Sequence, residues 1–384
     1  LEKYLSDNNI SNLISQLTNK SNQLLKAYLA DKYSTRSERP TFDSDDLWKR
    51  SSAFLKEYPV ILSTTFSATS SLKNIIYDYV IVDEASQVDL TTGVLAMSCA
   101  KNMVIVGDLK QLPNVVPEDV RKTIAQLSIG NNIALNYRYE ENSLLSSMCK
   151  TYENISRTLL REHYRCHPKI IGFCNQKFYN NQLVIMTQDN GESDVLKAYI
   201  TVEGNHARGH FNQRQIDEIT NNILPELNSS DVGIIAPYKD QTFALAEEIT
   251  GQIDISTVHK FQGREKDDII ISTVDNEITE FTDNPNMLNV AVSRAKKRLR
   301  IVVSDSEKNG RTNIGDLIKY IQYNNFEIKH SEINSVFDML YKCYEEKRKS
   351  YLKKHKRISE YDSENLMYAL IKDLLKNEAF SKLD

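Results

Sequence analysis

The sequence predicts an α/β fold in which two layers of parallel strands follow one another along the chain, with helical segments at both ends. Three observations support this. Short apolar runs alternate with helix-like stretches over residues 58–133, and a second such series covers residues 232–303. Beyond Asp305 the strand pattern stops and helical patterns take over. Because the runs are apolar on both faces, they are typical of buried parallel strands.

The amino-terminal segment predicts an amphipathic helix, because apolar residues recur near helical spacing: Leu13, Leu17, Leu24, Tyr28 and Leu29. Residues 34–46 are polar and include Pro40, which predicts an exposed loop. The first series of predicted strands comprises residues 60–62, 80–82 and 104–106.

The second series of predicted strands comprises residues 232–235, 253–258, 269–272 and 299–303. Two such layers in tandem predict a cleft between them. The helical patterns that close the chain cover residues 314–326, 333–356 and 363–380.

Composition sets limits on the class of protein. With 384 residues, 40% of them hydrophobic and 26% charged, the chain is long enough for several folded domains. No apolar run reaches the roughly 18 residues that span a bilayer, and the amino end lacks a signal-peptide pattern, so we expect a cytoplasmic protein. The five cysteines are scattered, which favours free thiols. A net charge of −4 argues against a surface that coats nucleic acid.

Two carboxylates follow the run at residues 80–82, where open α/β sheets bind ligands. Asp83 can hold Mg²⁺, and Glu84 can accept the proton of an attacking water. The next strand leads into residues 107–113, where the amide of Gln111 can sense a terminal phosphate. Together these residues predict part of an ATP-hydrolysing site. The alternative is a pair of solvated acids in a turn.

A phosphate loop, the other part of such a site, normally ends in Gly-Lys-Ser/Thr. None of the 12 glycines is followed by lysine. We therefore expect this chain alone not to hydrolyse ATP, and two interpretations stay open. The chain is a fragment of an ATP-driven motor, as its start at Leu1 also suggests, or it is a non-hydrolysing nucleic-acid-binding or regulatory subunit.

Six ordered blocks between residues 80 and 303 resemble the motifs of superfamily 1 helicases, in the branch that contains the nonsense-mediated decay RNA helicase. Residues 83–86 (Asp-Glu-Ala-Ser) resemble motif II, and residues 107–113 (Gly-Asp-Leu-Lys-Gln-Leu-Pro) resemble motif III. The later blocks are residues 160–168, which resemble the opening of the second domain, and residues 236–241, 256–267 and 289–296, which resemble motifs IV, V and VI.

This resemblance implies tandem RecA-like domains, the first of them incomplete. It places a helical insertion at 1–56, the carboxyl-side half of the first domain at 57–155, the second domain at 156–310 and a basic helical tail at 311–384. Residues 358–366 are similar to a segment that, in some large bacterial helicases, leads into a restriction-endonuclease-like domain. A nuclease domain or partner would then lie outside this chain.

The resemblance also implies ATP and Mg²⁺ as cofactors and assigns roles to single residues. Arg165 and Arg294 match the arginines that contact the γ-phosphate, and Tyr164 matches the residue that stacks on adenine. Gly263, Arg264 and Glu265 match a turn that approaches phosphate and ribose. The alternatives are a core tyrosine at Tyr164 and a solvated helix start at Arg294.

Single-stranded DNA or RNA is the implied partner, and 5′ to 3′ movement along it is the implied polarity. The matching contact residues are Thr64, Thr65, Tyr238, Thr257, His259 and Gln262. A zinc site at His163, Cys166, His167 and Cys174 is rejected, because the spacings fit no standard zinc pattern.

Overall fold

The computed structural model forms two compact units. It describes residues 10–34, 39–202, 207–208, 210–227, 229–251, 253–304, 311–331, 345–355, 358 and 362–376. Unit 1 comprises Leu1–Asp83 and Leu90–Ile105, and unit 2 comprises Glu84–Asp89 and Val106–Asp384. The division into four segments at residues 56, 155 and 310 stays a prediction.

The described part of unit 1 contains four helices and two strands. They are α1 (Ile10–Tyr33), α2 (Asp46–Lys49), α3 (Ser51–Glu57), β1 (Tyr77–Val82), α4 (Leu90–Ser98) and β2 (Ala100–Ile105). Helix α1 confirms the helix predicted from the apolar spacing. The buried carboxylate of Glu57 accepts hydrogen bonds from Tyr33 and Arg39, so it ties the end of α1 to α3.

Strands β1 and β2 pair in parallel, with Val82 opposite Ile105. Burial of these strands was predicted wrongly, since Tyr79, Ile81 and Val104 are exposed. The described part of this sheet has only two strands, and a two-stranded sheet offers its side chains few neighbours. The strands therefore carry an apolar surface that this chain leaves open to solvent.

The predicted strand at residues 60–62 is also wrong. These residues run irregularly, and Leu62 is 93% exposed. A strand exists only where its backbone pairs with a neighbour, and in the described part of unit 1 the two strands pair with each other.

Unit 2 begins with helices and one small sheet. Its early elements are α5 (Glu118–Gly130), α6 (Leu144–Thr151), β3 (Glu162–His163), α7 (Pro168–Phe178) and β4 (Val184–Ile185), with β3 and β4 paired in parallel. A second series forms the main sheet and its helices: β5 (Leu196–Thr201), β6 (Ala207–Arg208), β7 (Phe211–Asn212), α8 (Gln213–Glu218), α9 (Leu224–Glu226), β8 (Val232–Ala236), α10 (Lys239–Glu248), β9 (Asp254–Thr257), α11 (Val258–Phe261), β10 (Lys266–Ser272), α12 (Pro285–Val292), β11 (Ala295–Ser304), α13 (Asn313–Tyr323) and β12 (Glu327–His330).

The main sheet has six parallel strands in the order β12-β5-β11-β10-β8-β9. In the four interior strands β5, β8, β10 and β11, alternate residues enter cores on opposite faces. Ile269 and Ile301 belong to one core with residues of α7, α12 and α13, whereas Ile270 and Val302 belong to the other with residues of α8. This arrangement confirms the predicted α/β fold.

The four strands predicted between residues 232 and 303 are all present, as β8, β9, β10 and β11. Strand β5 was missed, and the expectation that strands stop at Asp305 is wrong, because β12 pairs with β5. The sequence of β12, Glu-Ile-Lys-His, is short and polar, as suits a sheet edge, and so carries little strand signal.

Two helices near the carboxyl end, α14 (Glu345–Lys353) and α15 (Asp362–Lys376), are joined by a hydrogen bond from Tyr351 to the carbonyl of Ala369. Helix α14 covers part of the helix predicted at 333–356. Residues 333–344 of that prediction lie outside the described part of the chain. Among the described helices, none is both long and apolar enough to cross a bilayer.

Candidate functional site

Glu84 adopts a backbone conformation that few residues with a side chain tolerate, with φ at 51°. Such a conformation costs about 1–3 kcal/mol and persists only where its surroundings enforce it. The next residue is fixed on both sides: the N–H of Ala85 donates to the Val106 carbonyl at 2.9 Å, and the Leu145 N–H donates to the Ala85 carbonyl at 3.1 Å. The fold of unit 2 therefore holds this carboxylate at a bend.

Gly107 occupies a place that leaves little room for a side chain. A Cβ atom there would lie 3.2 Å from the backbone nitrogens of Ala85 and Ser86, and 3.0 Å from Cδ2 of Leu145. At the other end of the loop, the Asn114 N–H donates to the Ser86 carbonyl at 2.8 Å, so both ends of the loop contact the chain just after Glu84. The glycine thus lets the loop of residues 107–113 pack against the Glu84 bend.

Gln111 is weakly held within that loop. Its Nε2 lies 3.4 Å from Oδ2 of Asp108, while its Oε1 is buried and has no hydrogen-bond partner. Asp108 is better fixed, since its Oδ1 accepts the Lys110 N–H at 2.8 Å. Buried polar atoms are normally paired, so an orphaned amide oxygen at this position suits a site that takes up a ligand or water.

Arg294 is a buried cation, only 4% exposed. Its guanidinium donates to neutral oxygens: the carbonyls of Val290 at 3.2 Å and Arg264 at 3.4 Å, and the Ser293 hydroxyl at 3.4 Å. Over the described ranges, no carboxylate forms an ion pair with it. The alternative of a solvated helix start is therefore wrong.

The pKa of Arg294 also indicates a buried cation rather than a solvated one. Its pKa is lowered from the ordinary value, first by burial and then by the positive charge of Arg165, against opposing effects that include those of Glu84 and Glu265. Burying a cation without a bonded counterion is costly, and an anion bound there would recover that cost. The chemistry of this position therefore favours a bound anion.

Arg165 and Glu265 form an ion pair with each other. Both side chains are about two-fifths exposed, so water screens the pair and each partner can exchange it for a ligand. Gly263 has φ at 79°, which glycine tolerates, and it turns the chain just before this pair. The two predicted nucleotide-binding segments thus meet at these side chains.

Glu84 also approaches this group. Its Oε2 lies 3.4 Å from Nε2 of Gln262 and 3.4 Å from Nε2 of Gln87. The structure therefore brings five predicted site residues together within unit 2: Glu84, Arg165, Gln262, Glu265 and Arg294.

Two further predicted nucleotide-binding residues lie at the surface of unit 2. Tyr164 is 66% exposed and its hydroxyl donates to Glu162, so it is not a core tyrosine. Arg264 is exposed too, with its NH1 3.3 Å from Oδ1 of Asp254. Most of Tyr164 is accessible to solvent, and stacking on a flat base requires an accessible ring.

Among the predicted nucleic-acid contacts, Tyr238 has the most defined surroundings. Its hydroxyl lies 3.1 Å from Oδ2 of Asp275, and its ring stacks on His210 at 4.5 Å and tilts against Phe281 at 5.4 Å. Sequence reasoning missed His210 and Phe281, because their aromatic character carries no spacing signal on its own.

The other predicted nucleic-acid contacts do not form a single cluster in the described part of the chain. Thr257 is buried, and His259 is exposed. Thr64, Thr65 and Asp83 belong to unit 1; there Thr64 is exposed, and its Oγ1 accepts the Ser67 N–H at 3.2 Å.

His167, Asp189 and Glu192 form a group whose ligand atoms are close enough for a metal ion. Hydrogen bonding argues against that use. Nδ1 of His167 accepts the Lys169 N–H at 3.2 Å, so in the neutral ring the proton resides on Nε2, which faces Glu192 at 3.2 Å. The imidazole caps helix α7 and pairs with acids, and that explains the cluster without a metal.

Two family models, each described as an AAA domain, match residues 5–118 and 205–306. Among curated proteins, the chain is 30% identical over 290 residues to the probable helicase MAGATAMA 3 of Arabidopsis thaliana, covering 66% of this chain and 34% of that protein. It is 29% identical over 294 residues to helicase sen1 of Schizosaccharomyces pombe, covering 66% and 16%. It is 26% identical over 324 residues to the 5′-3′ DNA helicase ZGRF1 of Mus musculus, covering 77% and 16%.

Among solved structures, the chain resembles an arterivirus nonstructural protein 10 helicase in complex with DNA. The TM-score is 0.32 at 14% identity, with 60% of this chain and 40% of the other covered. The chain spans about a third or less of the length of the three curated relatives named above.

Proposed function

We propose that this chain, which the AAA-domain matches and the helicase-named relatives identify as a superfamily 1 helicase, is part of an ATP-driven motor that moves on single-stranded nucleic acid. One observation carries the proposal. Arg294 is a buried guanidinium without a carboxylate partner in the described part of unit 2, and it shares its surroundings with Arg165 and Glu84. A cation placed in this way is suited to stabilise charge on a transferring phosphoryl group.

The roles of the surrounding residues follow from their chemistry. Glu84 accepts the proton of the attacking water, and the strained bend fixes its direction. Arg165 and Arg294 supply positive charge beside the terminal phosphate, because guanidinium keeps its charge and binds phosphate oxygens in a planar fork. Gln111 contributes an amide that is free to rearrange.

Nucleotide contacts outside the phosphates involve Tyr164 and the turn at Gly263. The exposed Tyr164 ring stacks on the base, and Glu265 leaves Arg165 to accept hydrogen bonds from the ribose hydroxyls. This exchange frees Arg165 for phosphate at the moment when nucleotide binds.

Mg²⁺ fits the residues present. The ion keeps most of its water and takes one or two carboxylates together with substrate phosphates. Asp83, directly after β1, would be the one protein carboxylate that holds Mg²⁺, as motif II of the family implies. When bound, the ion supplies charge neutralisation at the phosphates.

Single-stranded DNA or RNA is the proposed partner, with Thr64, Thr65, Tyr238, Thr257, His259 and Gln262 as contacts to the strand. These side chains are hydroxyl, amide, imidazole and phenol groups, which track sugar and phosphate without reading bases. The proposed location is the cytoplasm.

The second candidate is a non-hydrolysing regulatory subunit, and the observation that favours it is the lack of a Gly-Lys-Ser/Thr sequence in these 384 residues. In the motor proposal, that loop is supplied from outside this chain. The exposed apolar surface of β1 and β2 supports the motor proposal, in which part of the protein lies outside this chain. Parallel strands are normally covered on both faces.

Glu84→Gln in the full-length protein tests the motor proposal. The variant is expected to bind ATP with unchanged affinity and to lose turnover, because glutamine keeps the shape of the side chain and cannot accept a proton. Fluorescent-nucleotide binding and phosphate release measure the two properties separately. Glu118→Gln, the same change at an exposed carboxylate of α5, serves as the control. Unchanged turnover in Glu84→Gln would favour the regulatory subunit.

A further inference from the structure

A chain of partly buried polar contacts joins the Gln111 loop to the helix that precedes Arg294. Oδ2 of Asp108, which faces Gln111, also accepts the Tyr179 hydroxyl at 2.6 Å. Nδ2 of Asn289 then lies 2.8 Å from the Tyr179 hydroxyl oxygen and 2.8 Å from the Lys110 carbonyl. Asn289 belongs to α12, five residues before Arg294.

The direction of each hydrogen bond in this chain is fixed. A carboxylate only accepts, so the Tyr179 hydroxyl donates to Asp108 and its oxygen accepts from Asn289. The Lys110 carbonyl also only accepts, so the Asn289 amide must turn its nitrogen toward it. The Asn289 Oδ1 is left buried and without a hydrogen-bond partner. The two contacts of Nδ2 therefore set the orientation of the amide, although its oxygen loses a partner.

Partial burial strengthens these contacts. Asn289 is 1% exposed, and burial together with the Asp108 charge raises the pKa of Tyr179 far above its usual range, so the phenol keeps its proton. Hydrogen bonds in such surroundings are stronger than in water, and replacing one partner leaves the other unsatisfied.

We propose that Tyr179 and Asn289 are positioning residues that link the phosphate-sensing amide of Gln111 to Arg294, which follows α12. Asp108 is the branch point. It holds Gln111 by a long contact of 3.4 Å and Tyr179 by a short one of 2.6 Å, so Gln111 can leave for a ligand while Asp108 stays in place. A shift of the loop on ligand binding is then transmitted through Tyr179 and Asn289 to α12.

This inference rests on the proposed ATP hydrolysis and concerns the coupling of two of its parts. The test uses Tyr179→Phe in the full-length protein, which removes one hydroxyl and keeps the ring. Tyr320→Phe is the matched control. Tyr320 packs against the same core, and its hydroxyl donates to the Lys169 carbonyl at 2.9 Å, outside the polar chain.

Tyr179→Phe is expected to lower kcat for single-strand-stimulated ATP hydrolysis roughly tenfold, with KM for ATP changed less than twofold, whereas Tyr320→Phe leaves both near wild type. Tenfold corresponds to about 1.4 kcal/mol, the scale of one buried hydrogen bond. A loss of folding would appear in both variants as a lower unfolding midpoint, so thermal unfolding is measured alongside.

A double-variant cycle separates coupling from simple packing. In a Gln111→Ala background, Tyr179→Phe is expected to have less than a twofold further effect on kcat, because the residue that it positions is absent. Independent effects that multiply would overturn the inference, as would an unchanged kcat in Tyr179→Phe itself. If the wild-type protein does not hydrolyse ATP at all, the proposed function fails before this inference is reached.

Discussion

At the scale of single residues, the main finding is how differently two predicted arginines are placed. Arg165 is exposed and paired with Glu265, whereas Arg294 is buried and bonded to neutral oxygens. An exposed ion pair contributes little to stability and can exchange its partner. A buried guanidinium is already oriented, and an anion gains most from meeting it. We therefore expect Arg294 to matter more for turnover than for folding.

Arg294→Ala is expected to lower kcat for ATP hydrolysis in the full-length protein by about a thousandfold, the scale known for arginine fingers. Lys297→Ala is the control, because Lys297 lies only three residues further along, on β11, but is exposed and paired with Asp267. Phosphate release under saturating ATP measures both. Comparable rates in Arg294→Ala and wild type would contradict the role given to this residue.

The lowered pKa of His163 leads us to expect that stability depends on pH. Burial and the charge of Arg165 lower its pKa from 6.5 to about 4, and its Nε2 accepts the Cys166 N–H at 2.9 Å, which requires an unprotonated nitrogen. Between pH 6.5 and 4 the unfolded chain binds this proton and the folded chain does not, so the folded state loses stability as the pH falls through that range.

His163→Asn removes the titration and so isolates its contribution. Urea unfolding at pH 7.5 and pH 5 is expected to show a larger fall in the free energy of unfolding for wild type than for the variant. The other carboxylates and histidines titrate in both proteins and cancel in the comparison. Equal falls in the two proteins would show that the pKa of His163 is not lowered.

Sequence and resemblance together identified residue types at this scale but not their surroundings. The order of motifs pointed to Glu84 and Arg294, because chemistry limits which side chains serve a phosphate site. Burial of Arg294 and exposure of Tyr164 depend on chain segments distant in sequence, which no local pattern encodes. For the same reason, the contact of Tyr179 with Asp108, 71 residues apart, could not be predicted.

At the scale of elements, the loop of residues 107–113 is the feature that organises the site. It packs against the Glu84 bend at Gly107 and sends Leu112 into the core of the main sheet. Between these two anchors lies Gln111, whose amide is weakly held. A loop fixed at both ends and loose in the middle suits a sensor of bound ligand.

Gly107→Ala is expected to destabilise the protein by about 1–3 kcal/mol, the usual range for overpacking, because the contacts at 3.2 Å are to backbone atoms that cannot rotate away. Gly130→Ala is the matched control: Gly130 lies in α5 with nothing within 4 Å of its added Cβ. That change should be neutral or stabilising by up to about 1 kcal/mol. Equal unfolding free energies for the two variants would contradict the packing argument.

Prediction of the strands succeeded where they lie inside a wide sheet and failed elsewhere. The interior strand β10 carries a run of isoleucines that is buried on both faces, so its sequence alone predicts a buried strand. Strand β12 is polar and exists because β5 offers it a pairing edge. Residues 60–62 show the converse case, since an apolar run without a paired neighbour stays irregular.

At the scale of the whole molecule, the gathered site residues and the missing phosphate loop lead to one account. Unit 2 holds the proposed base, both arginines and the sensing amide. The lysine and hydroxyl of a phosphate loop, which bind and neutralise the terminal phosphates, are absent from the sequence. The chain is therefore expected to contain the catalytic base and the arginines of a motor while depending on a loop from outside its 384 residues.

Movement along a strand follows if the complete protein is a motor. The full-length protein is expected to displace a duplex from a 5′ overhang and not from a 3′ overhang, in agreement with the polarity implied by the resemblance. Paired substrates with opposite overhangs, assayed with and without ATP, measure this directly. Displacement from the 3′ overhang alone would reverse the assigned polarity while leaving the hydrolysis site untouched.

The most direct test of the central claim is ATP hydrolysis measured in parallel for the 384-residue chain and the full-length protein, with and without single-stranded DNA and RNA. The account predicts background rates for the chain alone and strand-stimulated turnover for the full-length protein. Sustained, strand-stimulated turnover by the purified 384 residues would contradict it.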